Sequence, residues 1–154
     1  MRGIPADELY KKTVYVIIVS NNVKEASGVQ TIGKLNLKYF FKLSKKITTD
    51  EVVITDERIQ HIKDRHPGDF EEYAGYIKTV VEDPDYILEA NKPDSAFLLK
   101  TIKDANKNFE AIVRLAVIGD PEGHKNSVIT FLKVEKKRYN RYLRTKKILY
   151  KKEE

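Results

Sequence analysis

The stretch around which the rest of this chain is interpreted runs from residue 55 to residue 67 and reads TDERIQHIKDRHP. Thr55 is suited to cap a helix, because its hydroxyl can accept a hydrogen bond from a free backbone amide of the first turn. Pro67 disfavours the helical conformation at the residue before it. The sequence therefore predicts a short helix from Asp56 to about Arg65.

A helical period divides this segment into two faces. At about 100° per residue, one face is formed by Ile59, Ile62 and His66. The flanking face carries guanidinium and imidazole groups, those of Arg58, His61 and Arg65. One face is suited to packing and its flank to chemistry, so we expect an active site beside this helix.

Composition places the chain among globular proteins. Its 154 residues, 41% hydrophobic and 34% charged, fit one domain or a domain with an extension. We predict an N-terminal extension over residues 1–50, made of a strand and a helix, and a main domain over residues 51–154. The absence of cysteine excludes disulfide bonds, thiolate zinc sites and cysteine nucleophiles.

The longest apolar run, at residues 14–19, is far shorter than the roughly 20 residues of a membrane-spanning helix. It follows two lysines, as the apolar core of a signal peptide would, but no small-residue cleavage site stands at the expected distance. We interpret residues 13–19 as a buried strand and predict no membrane association.

The net charge of +6 is concentrated near the C-terminal end. Residues 132–154 contain ten lysines and arginines against three acidic residues, so they hold all of the positive excess. A concentrated basic segment favours a polyanionic partner such as nucleic acid. A solvated charged tail gives the same pattern, and charge alone does not separate the two interpretations.

Helices are predicted on both sides of the opening segment. Asn36 is placed to cap a first helix, whose apolar positions are Leu37, Phe40, Phe41 and Leu43. A brief strand is expected at residues 51–54. Asp69, with Glu72 three residues later, forms a capping-box pattern for a helix that ends at residue 83. Its buried positions are Phe70, Tyr73, Ile77, Val80 and Val81.

The second half of the chain changes to a strand pattern. Four β-rich runs, at residues 86–90, 95–103, 108–118 and 126–134, are separated by short polar connections typical of antiparallel hairpins. A helix over residues 136–144 and an extended piece at residues 146–150 follow. The predicted fold class is α+β, with N-terminal helices packed on a four-stranded antiparallel sheet.

Motifs for several common chemistries are missing from the sequence. His61 and His66 are five residues apart, whereas a zinc-binding HExxH motif needs histidines four apart with a glutamate between them. No glycine-rich phosphate loop and no serine nucleophile motif is present. Metal-dependent hydrolysis, nucleotide hydrolysis and acyl transfer are disfavoured, and neither a metal nor another cofactor is predicted.

The remaining polar side chains suit metal-free cleavage of RNA. In that reaction a base removes the 2′-hydroxyl proton, cations stabilise the phosphorane, and an acid protonates the leaving 5′-oxygen. Histidine can serve either proton transfer near neutral pH, and arginine offers paired donors to a phosphate. DNA lacks the 2′-hydroxyl, so this chemistry implies an RNA substrate.

Each candidate residue also has a purely structural interpretation. His66 could bond to the last carbonyls of its helix, and His61 could be an exposed helix residue. Arg114 could be held by a salt bridge, and Thr130 fits an ordinary strand position. The tyrosines near the C-terminus could belong to the core; they are Tyr139, Tyr142 and Tyr150.

Several short motifs occur in an order that is similar to a known family. They are VITDER at residues 53–58, HIKDRHP at 61–67, DPDYI at 83–87, SVITF at 127–131, YLR at 142–144 and KILY at 147–150. This part of the chain, about residues 50–152, resembles the phage-associated nuclease domains of the Barnase–EndoU–Colicin–RelE (PBECR) group.

The resemblance implies a BECR-like fold and a metal-independent endoribonuclease that acts on RNA, often tRNA, to give a 2′,3′-cyclic phosphate. The catalytic residues that it implies are His61, Arg65, His66, Thr130, Arg144 and Tyr150. Strand position and chemistry add Lys100 and Arg114 as substrate-binding residues, with the further basic residues Arg58, Arg138, Arg141 and Lys147.

The resemblance also implies a setting for the protein. Such domains occur in phages, mobile elements and toxins, so we expect action in the cytoplasm of a bacterial host and an immunity or antitoxin protein as a partner.

The main alternative to a ribonuclease is a non-catalytic nucleic-acid-binding module or a structural component of a phage or mobile element. A protein-interaction domain that uses residues 14–19 as an edge strand is a third. Which of His61 and His66 is base or acid stays open.

Overall fold

A seven-stranded mixed sheet runs through residues 28–153, the part of the chain that the computed structural model describes. Its strands are β1 (Val29–Lys34), β2 (Glu51–Thr55), β3 (Tyr86–Glu89), β4 (Ser95–Ile102), β5 (Lys107–Arg114), β6 (Asn126–Val134) and β7 (Ile148–Lys151). Their spatial order is β1-β2-β6-β5-β4-β3-β7, and every pair is antiparallel except β2–β6. The strand predicted at residues 13–19 lies outside the described residues.

The helices are α1 (Asp56–Arg65), α2 (Asp69–Tyr73), α3 (Ile77–Glu82) and α4 (Lys136–Thr145), with short 3₁₀ helices at Leu37–Phe40 and Ala74–Tyr76. Within residues 28–153, no helix is long and apolar enough to cross a membrane.

The α+β class is as predicted, but the prediction of N-terminal helices on a four-stranded sheet is wrong. The four predicted strands form the meander β3–β6, and β1, β2 and β7 extend it at both ends. A strand at the edge of a sheet leaves backbone N–H and C=O groups unpaired. Here β2 pairs with the outer edge of β6, and β7 pairs with the outer edge of β3. Pairing of this kind joins distant parts of the chain and leaves little trace in local periodicity.

The sheet is packed on both faces. The larger core lies on the side of α1, α2 and α3, and its largest fully buried side chains include Phe70, Phe109 and Phe131. On the opposite face, Tyr139 and Tyr142 of α4 cover a second core, whose other buried members are Leu88, Phe97, Leu99, Leu132 and Val134. Helix α4 therefore lies on the other side of the sheet from the helices that precede it.

The local predictions for α1 are confirmed. The Thr55 hydroxyl accepts a 3.1 Å hydrogen bond from the backbone N–H of Arg58. The helix ends at Arg65, and Ile59 and Ile62 are its buried residues. Strand β2 pairs with β6 only through residues 52–53, so α1, which follows β2 directly, packs beside the remainder of β6.

Two further helix predictions need correction. The N-cap of α2 is Gly68, not Asp69, and its φ of 85° is accessible to glycine because no Cβ obstructs it. The helix predicted to continue to residue 83 is interrupted by the 3₁₀ turn Ala74–Tyr76, although its five predicted core positions are buried.

The helix predicted after Asn36 is shorter than expected. Asn36 caps a single turn of 3₁₀ helix, and Phe41 beyond it is 70% exposed.

Part of the predicted extension packs on the main domain. Strand β1 pairs with β2, and Leu35 and Phe40 are buried in the larger core. The boundary at residue 50 stays a prediction.

Candidate active site

A cavity of about 350 Å³ lies where α1, the β5–β6 pair and α4 meet. Eight residues line it: His61, Ile62, Arg65, His66, Glu110, Thr130, Leu132 and Arg138. Five of these were predicted site residues, and they come from three parts of the chain that are distant in sequence.

Helix α1 supplies two histidines and an arginine to the cavity. His61 and Arg65 are four residues apart and therefore share a helix face. An ideal helix would turn His66 away from His61 by about 140°. His66 is instead the C-cap, with φ −135° and ψ 73°, and its backbone N–H donates to the carbonyl of Ile62 at 2.9 Å. Because the backbone leaves the helical conformation at His66, its imidazole lines the same cavity as that of His61.

A β-bulge orients the strand side of the cavity. Ile112 of β5 is paired with Thr130, but the next residue, Val113, is paired with Val128, so β6 contains one extra residue. Val128 faces the larger core, and unbroken alternation would place Thr130 on that face too. After the bulge, Thr130 lines the cavity together with Glu110.

Glu110 was not among the predicted site residues. It is 4% exposed, and its Oε1 atom is buried with no hydrogen-bond partner among the described residues. Burial raises the pKa of the Glu110 carboxyl, against a hydrogen bond from Tyr142 and the positive charges of Arg138 and Lys146. The available signal was an acidic residue between Phe109 and Ala111 in the middle of a strand, on the face that α4 proves to cover.

Arg138 brings a second guanidinium to the cavity from α4. Its Nε donates a 2.6 Å hydrogen bond to the hydroxyl of Tyr142, and its guanidinium carbon lies 5.6 Å from the centroid of that ring. Burial, the charge of Glu110 and a hydrogen bond to it raise the pKa of Tyr142, against the effect of Arg138. Arg138 has no ion-pair partner within residues 28–153.

Two of the predicted substrate-binding residues are held in ion pairs outside this cavity. The buried Nζ of Lys100 lies 3.1 Å from carboxylate oxygens of both Asp83 and Asp85. Arg114 lies 3.1 Å from Asp120 and also donates to the carbonyl of Leu115. Their cations already have acidic partners.

Tyr150 also lies outside the cavity. Its ring stacks on that of Tyr39, with centroids 4.1 Å apart. Burial and the neighbouring Tyr39 raise the pKa of Tyr150 to about 12. The remaining predicted residues do not line the cavity either: Arg58 is half-buried in the first turn of α1, and the exposed residues are Arg141, Arg144 and Lys147.

The cavity combines groups for proton transfer with groups that bind a phosphate. Two imidazoles and one carboxyl can exchange protons, while two guanidiniums and the Thr130 hydroxyl can donate to phosphate oxygens. Residues 28–153 contain no cluster of three or more His, Asp or Glu side chains arranged to hold a metal ion.

Comparison with known proteins gives one family. The family model described as phage-Barnase-EndoU-ColicinE5/D-RelE like nuclease2 (PBECR2) matches residues 22–151. The match reaches from before β1 to the last residue of β7, so it includes every residue that lines the cavity. No curated protein and no solved structure matched the chain.

Proposed function

The chain belongs to this family of phage-associated, BECR-type nucleases, and from that premise we propose that it is a metal-independent endoribonuclease. The proposed reaction is attack of a ribose 2′-hydroxyl on the adjacent phosphate, which leaves a 2′,3′-cyclic phosphate. Transfer RNA is the first substrate to test.

The observation that carries the proposal is the convergence of His61, Arg65, His66, Thr130 and Arg138 on one cavity. Imidazole can transfer protons in this reaction, a contribution worth about 10²–10⁴ in rate. Guanidiniums from two different helices can bind the non-bridging phosphate oxygens and stabilise the charge that develops on them. The Thr130 hydroxyl can add a further hydrogen bond.

The exposed face of α4 suits a polyanionic substrate. It carries five basic side chains and no acidic one, and these are Lys136, Lys137, Arg138, Arg141 and Arg144. One of them, Arg138, lines the cavity, so RNA bound along this face would lead its backbone to the candidate active site. Binding through such contacts should weaken steeply as salt concentration rises.

The same basic face supports the second candidate function, a nucleic-acid-binding module without catalytic activity. The two proposals differ in one outcome, because a binding module retains RNA but releases no product.

The test is incubation of the full chain with total tRNA in excess EDTA. We expect the parent to cleave, His61→Ala and His66→Ala each to be at least about 100-fold slower, and His124→Ala to match the parent. His124 is a suitable control because it is exposed and does not line the cavity. Binding without cleavage by the parent would favour the binding module, and full activity in both α1 variants would remove the histidines from the mechanism.

A further inference from the structure

We propose that the open face of the β5–β6 pair, next to the cavity, binds a nucleobase that adjoins the scissile phosphate, so that the substrate is RNA that is unpaired at the cleavage site. We call this position the base subsite, and it is formed by Ile112, Arg114 and Ser127. The inference rests on the proposed ribonuclease function and names the form of RNA on which that function acts.

The strand register places the base subsite directly beside the cavity. Ile112 of β5 is paired with Thr130, which lines the cavity. Two residues further along the same strand, Arg114 is paired with Ser127. Directly opposite residues point to the same face of a sheet, and so do residues two apart in one strand. Two residues of a strand cover about 7 Å, so a base that adjoins a phosphate at Thr130 can reach Arg114 and Ser127.

Exposure rises along this face from the part under α4 towards the base subsite. Glu110 and Leu132, the pair beneath α4, are 4% and 8% exposed. Ile112 packs at the margin of the second core and is half-buried, as is Ser127. The side chain of Arg114 is 33% exposed. Helix α4 therefore covers one end of the face and leaves the base subsite open to a ligand.

The side chains of the base subsite suit a nucleobase better than a phosphate. Arg114 donates to both carboxylate oxygens of Asp120, at 3.1 and 3.3 Å, so this pair carries no net charge. The two hydrogen bonds also fix the orientation of the guanidinium plane, a surface on which RNA bases stack. Ile112 adds apolar surface for the face of a base, and the Ser127 hydroxyl can donate to or accept from its edge.

A base bound in this way is not part of a double helix. In A-form RNA each base is stacked between its neighbours, and the narrow major groove excludes side chains. A sheet face, in contrast, is a common platform for the bases of single-stranded RNA. The geometry therefore favours cleavage in loops, bulges and single-stranded ends.

The test measures whether the loss of affinity in a variant depends on the presence of the base. An RNA oligonucleotide with a mapped cleavage site is compared with two copies, in which the base on the 5′ or the 3′ side of the scissile phosphate is removed and the 2′-hydroxyl is kept. We expect Ile112→Thr to raise KM on the intact RNA by about 4- to 15-fold, the equivalent of one or two methylene groups, with kcat within about twofold of the parent. On one of the two abasic RNAs, variant and parent should have the same KM.

Ile102→Thr is the matched control, because Ile102 is also a half-buried strand isoleucine but packs against the larger core, away from the cavity. It should cleave all three RNAs as the parent does. Ser127→Ala covers the case in which Ile112→Thr fails to fold. Loss of its hydroxyl should raise KM by about 2- to 10-fold on the intact RNA, and not on the same abasic RNA.

The RNA duplex gives a second measurement. Pairing the same oligonucleotide with its complement should slow cleavage by the parent at least about tenfold, since unstacking a base costs a few kcal/mol. An equal rise in KM on the intact and both abasic RNAs, no rise in either variant, or undiminished cleavage of the duplex would overturn the base subsite and leave the proposed function standing. Absence of cleavage by the parent would overturn the proposed function, and this inference with it.

Discussion

Ile112 of β5 is paired with Thr130 of β6, and directly after this pair β6 contains one residue more than its partner strand. The extra residue reverses the alternation, so a hydroxyl that would otherwise face the larger core lines the cavity. Bulges are often found next to active sites, where they redirect a side chain. Here the bulge in β6 places the Thr130 side chain in the candidate active site.

Replacing Thr130 tests whether this hydroxyl contacts the substrate. We expect Thr130→Val to lower kcat by about 10- to 100-fold, because a hydrogen bond to a charged phosphate is lost while the β-branched shape is kept. Thr130→Ser should stay within about threefold of the parent. Steady-state kinetics on tRNA, with thermal unfolding as the check on folding, measures both. Full activity in Thr130→Val would show that the bulge has no catalytic purpose.

Tyr150 offers a test of a residue that the family resemblance implies to be catalytic. Its stacking on Tyr39 predicts a structural role, so Tyr150→Phe should cleave RNA as fast as the parent. Tyr150→Ala should lower the free energy of unfolding by about 2 kcal/mol, since a partly buried ring is removed. Cleavage rates and urea unfolding separate the two effects. A large loss of activity in the stable phenylalanine variant would restore the catalytic assignment.

Lys100 is expected to stabilise the fold and not to bind substrate. Lys100→Met leaves Asp83 and Asp85 without their buried cation and should cost about 3 kcal/mol of unfolding free energy. Lys45→Met is the matched control: Lys45 pairs with Asp94 at 3.3 Å but its side chain is 57% exposed, so the loss should be below about 1 kcal/mol. Urea unfolding of both variants measures the difference, and equal losses would contradict this account.

The ion pairs also predict how stability changes in acid. Burial disfavours the charged form of Asp83, but hydrogen bonds from Lys152 and Lys100 outweigh it and lower the pKa of this carboxyl. The pKa of Asp120 is also lowered, by a hydrogen bond from the backbone N–H of Val117 and by one from the side chain of Arg114. A carboxyl whose pKa is lower in the folded state stabilises the fold above its unfolded pKa, and this stabilisation is lost as pH falls through the folded value.

Urea midpoints should therefore decrease below the ordinary aspartate pKa of 3.8. The Asp83→Asn variant should show a shallower decrease than the parent over the same range. An identical pH dependence in the two proteins would contradict the predicted contribution of Asp83.

The sequence was sufficient where the signal is local. Thr55, Pro67 and the spacing of Ile59 and Ile62 defined α1, because capping and helical period act over a few residues. The strands of the meander were predicted by short polar connections between β-rich runs. The family motifs pointed to four side chains that line the cavity, and the basic character of the C-terminal segment pointed to a fifth, Arg138.

The parts that sequence reasoning missed depend on contacts between distant residues. The pairing of β7 with β3 and the bulge in β6 follow from the sheet as a whole. Glu110 is a charged residue in a predicted strand, and it is buried because α4 covers its face of the sheet. His66 joins His61 through a break in helical geometry that an ideal helical period does not describe.

The most direct test of the central claim, attack by the 2′-hydroxyl within the cavity, is the identity of the product ends in EDTA. After the cleavage site is mapped on an RNA oligonucleotide, mass spectrometry compares that RNA with a copy carrying a single 2′-deoxy substitution at the cleaved nucleotide. We predict a 2′,3′-cyclic phosphate and a 5′-hydroxyl from the RNA and no cleavage of the substituted site. A 5′-phosphate product, or cleavage at the 2′-deoxy position, would contradict the account.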